Sequence, residues 1–331
     1  MSIDPQQAST IVIDFLKRKI QQTHSDGICL GLSGGVDSAV LATLAVRAAG
    51  ASAVHSLHLH DRDSNPRSLG LARDLGKQLG IRFEARAITP ILKEQGAYAS
   101  SVVRLAGCSP RLARGVIWTG WYVYRCLAKE NPFNVVLRRG EPFKGRLARG
   151  IYSALADSVE RSFSVKHITR RRILEDYAVE RNLLVVGAAN RTEWLTGWFV
   201  KDGIDDLPIE PLLGLYKTQV YELARFLEVP VAIIKQAPSP DMLPGLTDEA
   251  VLGFRYEKLD AVLHHLEHRA EEVATLSLDI SPYDVEQIHK LWELSAWKRS
   301  TKHEYPGLHK RCCRSGSTQE SELEGFENGS G

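Results

Sequence analysis

A six-residue polar segment between two apolar stretches is the part of this sequence best suited to chemistry. It reads Ser33-Gly34-Gly35-Val36-Asp37-Ser38. Adjacent glycines let the backbone approach a ligand closely, and N–H groups at the start of a following helix attract an anion. The serine hydroxyls add hydrogen-bond donors, and the Asp37 carboxylate can hold a magnesium ion that bridges phosphates. The segment therefore predicts a pyrophosphate-binding loop formed by Ser33, Gly34, Gly35, Asp37 and Ser38.

Three more polar blocks follow in the second half of the chain. The first extends from Gly187 to Lys201 and contains Asn190, Glu193 and Trp198. The second and third read Pro211-Leu212…Leu215-Tyr216-Lys217-Thr218-Gln219-Val220 and Ala237-Pro238-Ser239-Pro240-Asp241. The glycine loop resembles that of ATP pyrophosphatases. The later blocks resemble the NAD synthetase branch, in which they read G-T-x-N-K-x-E…G-Y-F-T-K, N-P-L…L-x-K-x-Q and P-S/T-A-D-L.

This resemblance implies an activity. ATP pyrophosphatases cleave ATP between its α and β phosphates and transfer the adenylyl group to an oxygen atom. In NAD synthetases that oxygen belongs to the carboxylate of nicotinic acid adenine dinucleotide. The acyl-adenylate forms with release of pyrophosphate, and ammonia then displaces AMP to give NAD. We expect ammonia as the donor, since no segment resembles the amidohydrolase domain of glutamine-using relatives; a separate glutaminase is the alternative source. Relatives form homodimers, and a homodimer is expected here.

The resemblance also implies roles for individual residues. Asp37 and Glu193 would hold Mg²⁺, while Lys217 and Ser239 would bind the phosphates of ATP. Lys201 would lie in the loop that covers the substrate, and it joins Asp37 and Lys217 as an expected catalytic residue. The expected contacts to the acceptor come from Trp198, Lys166, Arg170 and Asp205.

The departures from the family pattern concentrate on the acceptor side. The family loop Y-G-D-G-G-x-D reads here Asp202-Gly203-Ile204-Asp205-Asp206-Leu207-Pro208. The acid that contacts the dinucleotide falls on Ile204, with Asp205 as a substitute one residue later, and the later acid falls on Pro208. Ala188 replaces a threonine in the preceding block. The runner-up hypothesis is therefore a ligase of the same type that amidates a different carboxylate.

Charge distribution supports a third hypothesis. Residues 101–172 carry 15 Lys and Arg against 4 Asp and Glu, although the chain has a net charge of only +2. A basic segment suits an anionic ligand or nucleic acid, so an enzyme that adenylates tRNA would show salt-sensitive RNA binding. The NAD synthetase blocks argue against a nucleic-acid partner. The aromatic cluster between Trp118 and Tyr124 could stack a base or a ring, but we interpret it as helix core or dimer contact. We interpret His58 and His60 as lining of the nucleotide site rather than metal ligands.

The elements that must position these residues follow an alternating pattern. Apolar runs predict strands at 28–32, 53–59, 81–88 and 183–186, and helical spacing predicts helices at 6–22, 38–49, 69–79, 168–181, 216–227, 256–270 and 282–296. Strands that alternate with helices indicate βαβ units and a parallel sheet, hence an α/β fold. The resemblance implies that this sheet is doubly wound with flanking helices, Rossmann-like and of the ATP pyrophosphatase type. Residues 101–162 interrupt the pattern and are expected to form a mostly helical insertion.

The composition of the chain indicates its domain organisation. The chain has 331 residues, of which 44% are hydrophobic and 25% charged, as in ordinary globular proteins. We expect a catalytic domain over residues 1–308 and a disordered tail over 309–331, where Gly, Ser and Glu are too frequent for a core. No apolar run is long enough for a membrane span, no secretory leader is recognised, and five cysteines form no C-x-x-C pair. These features favour a reduced, cytoplasmic protein.

Overall fold

A parallel four-stranded sheet forms the centre of the computed structural model. The structure describes residues 3–100, 103–104, 110–128, 131–138, 150, 157–239, 247–268 and 280–308. The strands are β1 Gly27–Gly31, β2 Val54–His60, β3 Arg82–Ala87 and β4 Leu183–Val186, in the spatial order β3-β2-β1-β4. Every pair is parallel, and Ile28 of β1 lies opposite Val54 on one side and Leu184 on the other. The strand order reverses between β1 and β4. In doubly wound sheets, ligands bind at such a switch point, outside the carboxyl ends of the strands.

Helices pack on both faces of the sheet, so the predicted fold class is confirmed. The described helices are α1 Pro5–Thr23, α2 Val36–Ala49, α3 Pro66–Leu79, α4 Thr89–Glu94, α5 Pro110–Ala128, α6 Phe133–Leu137, α7 Asp157–Val179, α8 Arg191–Thr196, α9 Lys217–Phe226, α10 Val231–Ile234, α11 Asp248–Leu252, α12 Tyr256–His268 and α13 Pro282–Leu294. Successive side chains of a strand point to opposite faces. Ile28 and Leu30 of β1 accordingly join one buried cluster with α1, α2 and α9, while Cys29 joins another with α4 and α7.

Helix boundaries differ from the predicted ones where polar residues start a helix. The side chain of Asn65 accepts a hydrogen bond from the Arg67 N–H at 3.0 Å, and this cap starts α3 three residues early, at Pro66. The largest difference concerns α7, which begins at Asp157 instead of near residue 168. Val159 and Phe163 continue its apolar stripe one turn apart and pack against a buried cluster. Polar residues on both sides of Val159 and Phe163 obscured the stripe in the sequence.

Only part of the predicted insertion lies within the described residues. There its backbone is helical, in α5, α6 and the first turns of α7. The predicted tail, 309–331, lies outside the described residues. Among the helices that the structure describes, none is both long and apolar enough to cross a membrane.

Gly27 marks a close backbone approach at the start of β1. A Cβ atom at this position would lie 2.0 Å from the carbonyl oxygen of Ala53, just before β2. A backbone atom cannot move aside as a flexible side chain can. The pairing of β1 with β2 therefore requires glycine here.

We expect Gly27→Ala to destabilise the protein by about 1–3 kcal/mol, the usual range for overpacking. Gly70→Ala is the matched control, because a Cβ atom there meets nothing within 4 Å and the exposed position lies inside α3. Alanine in a helix interior is favoured over glycine by about 0.5–1 kcal/mol, so this variant should be more stable than the wild type. Thermal unfolding of the wild type and both variants tests the expected loss of stability in Gly27→Ala and the expected gain in Gly70→Ala. Equal Tm values for the two variants would contradict the prediction.

Candidate functional site

A cavity of about 520 Å³ opens at the switch point of the sheet. Its walls come from the segments that follow β1 and β4, from the end of β2, and from helices α5, α6 and α7. Of the residues predicted to form a site, the cavity is lined by Ser33, Gly35, Asp37, Ser38, Arg170, Glu193, Trp198, Lys201, Asp205, Lys217 and Ser239. Lys166 and Gly34 are not among the lining residues. The site predicted from separate sequence blocks thus comes together around one cavity.

The glycine loop is held in shape by its own serines. The hydroxyl of Ser38 donates to the carbonyl of Gly35 at 3.0 Å, and the Gly35 N–H donates to the hydroxyl of Ser33 at 3.2 Å. Gly34 has a φ of 87°, and a Cβ atom there would lie 2.5 Å from the carbonyl oxygen of Ser68. Gly35 precedes the first turn of α2 and has no side chain to cap it. The N–H groups of that turn are therefore available to an anion.

Asn190 connects the two sides of the switch point. Its side-chain oxygen accepts the backbone N–H of Glu193 at 3.1 Å, and the Glu193 carboxylate accepts the N–H of Asn190, which forms a capping box for α8. The amide nitrogen of the same side chain donates to Asp37 at 3.0 Å. Since Asn190 is fully buried, it fixes the separation of the two carboxylates predicted to bind metal.

Lys217 lies between those carboxylates. Its Nζ is 2.6 Å from Asp37 and 3.2 Å from Glu193, and its side chain is buried at the first position of α9. Burial by itself would lower the pKa of Lys217, but the carboxylates of Asp37 and Glu193 outweigh it and hold the pKa well above its usual value. Lys217 is therefore a cation directed into the cavity.

The site carries more acid than this one cation neutralises. Asp248, which receives a hydrogen bond from the Tyr256 hydroxyl at 2.9 Å, adds a third buried carboxyl. Burial raises the pKa of Glu193 to about 8; the Lys217 ammonium opposes this shift, and the charges of Asp37 and Asp248 reinforce it. Burial likewise raises the pKa of Asp248. A further positive charge is thus electrostatically favourable in this place.

Magnesium fits this donor set. Asp37 and Glu193 both reach one ammonium group, so they are close enough to share a cation. Mg²⁺ takes one or two protein carboxylates and fills its remaining positions with water and phosphate oxygens. Within the described ranges, no three His, Cys, Asp or Glu side chains form a complete cation cage. An ion that phosphate helps to coordinate does not require such a cage.

The residues expected to contact the acceptor form two groups, of which the first lies in the segment 198–205. Lys201 donates to the Ser300 hydroxyl at 2.8 Å, and Asp205 accepts from the His167 ring at 3.0 Å and from the Val200 N–H at 3.1 Å. Lys201, Asp205 and Trp198 all line the cavity.

Lys166 and Arg170 belong to a buried charge network beside the cavity. Lys166 is fully buried, with its Nζ 2.7 Å from Asp63 and 3.4 Å from Asp61. Arg170 contacts Asp61 at 3.1 Å and donates to the Leu59 carbonyl at 2.9 Å. Of the two, the structure brings only Arg170 to the cavity, while Lys166 anchors the loop after β2.

Glu210 connects the loop after β4 to the loop predicted to cover the substrate. Its buried carboxyl accepts the N–H of Ala189 at 2.8 Å and the N–H of Leu207 at 3.0 Å. A Cβ atom on Gly187 would lie 2.0 Å from an oxygen of Glu210, so glycine is required beside it. The backbone next to Asn190 and the backbone next to Asp205 are thereby held by the same side chain.

Comparison with known proteins identifies the family to which this chain belongs. The sequence model described as NAD synthase matches residues 9–107 and 154–302. The chain belongs to the NAD synthase family. The NH(3)-dependent NAD(+) synthetase of Thermotoga maritima is 38% identical over 284 residues, which are 86% of this chain and 94% of that protein.

Solved structures agree with this placement at the level of the fold. The NMN synthetase of Francisella tularensis has a TM-score of 0.64 at 24% identity, and the NH3-dependent NAD synthetase of Campylobacter jejuni has 0.60 at 23%. Each likeness covers 90% of this chain and 97% of the other chain. At such identities the likeness concerns the fold alone.

Sequence reasoning missed part of this NAD synthase-family cavity. The interpretation of the aromatic cluster as core is confirmed in part, since Trp118 and Trp121 pack against a buried cluster. Trp121 and Tyr124 also line the cavity, however, as do Phe133 and Val136 of α6. Their segment lies in residues 108–153, which the family model does not match. Of the two histidines expected to line the nucleotide site, His58 lines the cavity, with its Nδ1 2.8 Å from the Leu32 carbonyl, and His60 is not among the lining residues. For the insertion residues, aromatic content was the only signal in the sequence.

We expect Glu210→Leu to leave the N–H groups of Ala189 and Leu207 without their partner, at about 1–3 kcal/mol for each. Catalytic efficiency should fall together with stability, because both loops border the cavity. Glu210→Gln keeps one acceptor and should fall between the leucine variant and the wild type. Tm and kcat/KM check the prediction. The control is Glu222→Gln, whose partly exposed side chain accepts the N–H of Ile3 at 3.3 Å. Wild-type behaviour of the leucine variant would refute the positioning role of Glu210.

Proposed function

We propose that this NAD synthase-family protein amidates nicotinic acid adenine dinucleotide to NAD, using ATP and ammonia and releasing AMP and pyrophosphate. The observation that carries the proposal is the convergence of Asp37, Glu193 and Lys217 beside the glycine loop, in a chain of this family. A homodimer and an ammonia supply that is either free or delivered by a separate glutaminase belong to the proposal.

The glycine loop and Lys217 would bind the phosphates of ATP. The open first turn of α2 and the hydroxyls of Ser33 and Ser38 offer hydrogen-bond donors, and Ser239 also lines the cavity. With ATP bound, the Lys217 ammonium can pair with a phosphate as well as with the carboxylates. Bound Mg²⁺, held by Asp37 and Glu193, would neutralise phosphate charge.

The chemistry then requires two substrates in line. The acceptor carboxylate attacks the α phosphorus, the bond to the bridging oxygen breaks, and pyrophosphate leaves. Ammonia attacks the resulting acyl carbon, AMP leaves with the electron pair, and the nitrogen loses one proton. No side-chain nucleophile is needed. Holding the reactants in line can lower the activation free energy by about 7–11 kcal/mol in ideal cases. The cavity walls that position the substrates are therefore as important as the charged groups.

Lys298 is the cation best placed for the anionic acceptor. Its side chain is buried and lines the cavity, where Nζ donates to the carbonyls of Gly197 at 2.8 Å and of Phe199. No carboxylate within the described part of the chain lies at ion-pair distance from it, and an ammonium has three N–H donors. Burial lowers the pKa of Lys298 to about 8, against the more distant carboxylates of Asp205 and Glu160.

We expect kcat/KM for the acceptor to fall as the pH rises through about 8. Because the pKa of Lys298 is lowered, its charge is present below that pH and lost above it. In Lys298→Met, kcat/KM for the acceptor should be low at every pH, and this decline should be missing from its profile. Rate profiles from pH 6 to 9.5 for both proteins provide the comparison. The same decline in wild type and Lys298→Met would assign it to another group.

Ile204 favours a second candidate for the acceptor substrate. Ile204 occupies the place where the family pattern has the acid that contacts the dinucleotide, and the side chain of Ile204 lies at the cavity wall. The Francisella tularensis relative is named an NMN synthetase. Nicotinic acid mononucleotide, which carries the same reacting carboxylate, is therefore the alternative substrate.

The test is an end-point assay with ATP, Mg²⁺, ammonium and either carboxylate, read by mass spectrometry. NAD formed with equal amounts of AMP and pyrophosphate supports the proposal, and a higher kcat/KM for the mononucleotide supports the alternative. No amide from either carboxylate, with ATP binding intact, overturns both. Other carboxylates and RNA would then be screened.

We expect Asp37→Asn and Glu193→Gln each to reduce ATP cleavage by about 100-fold or more, the scale seen when one group that stabilises transition-state charge is removed. Asp74→Asn on the exposed face of α3 is the control and should leave cleavage unchanged. Pyrophosphate release measures the rates, and magnesium titration of the Glu193→Gln variant should show weaker saturation. Full activity in both site variants would remove the magnesium assignment.

A further inference from the structure

The segment 131–138, here called the α6 segment, forms a wall of the cavity although the family model does not match it. Pro132, Phe133 and Val136 line the cavity, while Val135 points elsewhere and is fully buried. Each variant of this short segment can therefore be compared with a neighbour that faces away from the cavity.

The α6 segment is anchored to the body of the protein. The Asn131 amide donates to the carbonyl of Val251 at 2.8 Å, and the Trp297 indole donates to the carbonyl of Leu137 at 2.6 Å. The rings of Phe133 and Trp198 meet edge to face, with centroids 5.1 Å apart. These contacts come from both ends and from the middle of the segment, so its position relative to the cavity is fixed.

The contacts of the α6 segment also locate it within the cavity. Phe133 contacts Trp198, which is expected to bind the acceptor, and the Leu137 carbonyl accepts the indole N–H of Trp297, the neighbour of Lys298 in the sequence. Lys217, which is expected to bind the phosphates of ATP, faces Asp37 of the glycine loop instead. The α6 segment therefore lies on the Trp198 side of the cavity, where the acceptor ring would bind if ATP occupies the loop.

We infer that the α6 segment determines acceptor specificity, with Phe133 fixing the Trp198 ring and Val136 limiting the space left for the flat ring of the acceptor carboxylate. This inference rests on the proposed function. An apolar pocket discriminates by about 10–200-fold for one methylene group. A change of volume at Val136 is thus large enough to measure.

The experiment compares Val136→Phe and Val136→Ala with Val135→Ala. The phenylalanine variant should raise KM for the acceptor about tenfold or more, while KM for ATP stays within about twofold. The alanine variant at 136 should change the ratio of kcat/KM between the dinucleotide and mononucleotide carboxylates. Val135→Ala removes the same atoms from a position away from the cavity, so it should lower Tm and leave both KM values unchanged.

The outcomes separate this inference from the proposed function. If the wild type forms no amide from either carboxylate, the proposed function fails and the inference fails with it. If the wild type is active and Val136→Phe keeps its acceptor KM, only the inference is overturned. Equal effects of Val135→Ala and Val136→Ala on the acceptor KM would likewise overturn it, because they would show a general loss of packing. If Val136→Phe does not fold, the comparison of Val136→Ala with Val135→Ala still tests the inference.

Discussion

The ion cluster of Asp37, Lys217 and Glu193 is the interaction on which the rest of the site depends. A buried ammonium is costly unless it is paired, and removal of one partner from a buried pair leaves an uncompensated charge. The three groups come from the starts of three helices that lie far apart in the sequence. They meet only because β4 pairs with β1 and because α9 packs on α2. The sheet order is therefore also the condition for pairing the Lys217 ammonium with carboxylates.

Glycine, asparagine and glutamate at particular positions convert this topology into a defined geometry. Gly34 permits contact with the Ser68 carbonyl, Asn190 holds both Asp37 and Glu193, and Glu210 holds the backbone on two sides of the cavity. Each of these residues has little freedom, because its neighbours are backbone atoms or buried polar groups. The charged cluster is consequently supported by a rigid surrounding, as electrostatic catalysis requires.

The sequence was sufficient to predict the fold class, the family and the residues that meet at the switch point. Strands with apolar runs and glycine-terminated helices leave a local signal, and the polar blocks lie immediately after them. The role of Glu210 had no such signal, since it connects the N–H of Leu207, three residues away, with the N–H of Ala189, which lies 21 residues earlier in the chain. Phe133 and Val136 were missed for a similar reason: an apolar residue on a short helix looks the same whether it faces a core or a cavity. Lys166 shows the converse, because its buried partners Asp61 and Asp63 cannot be identified from spacing.

The reversal of strand order has a consequence for the protein during its synthesis. The glycine loop and the first three strands leave the ribosome early, together with Asp37. Glu193 and Lys217 emerge much later, and β4 must then insert beside the first strand. A chain that ends before β4 thus contains Asp37 at the start of α2 but lacks Lys217 and Glu193, the other members of the ion cluster. The charged cluster can therefore form only after most of the chain has been synthesised.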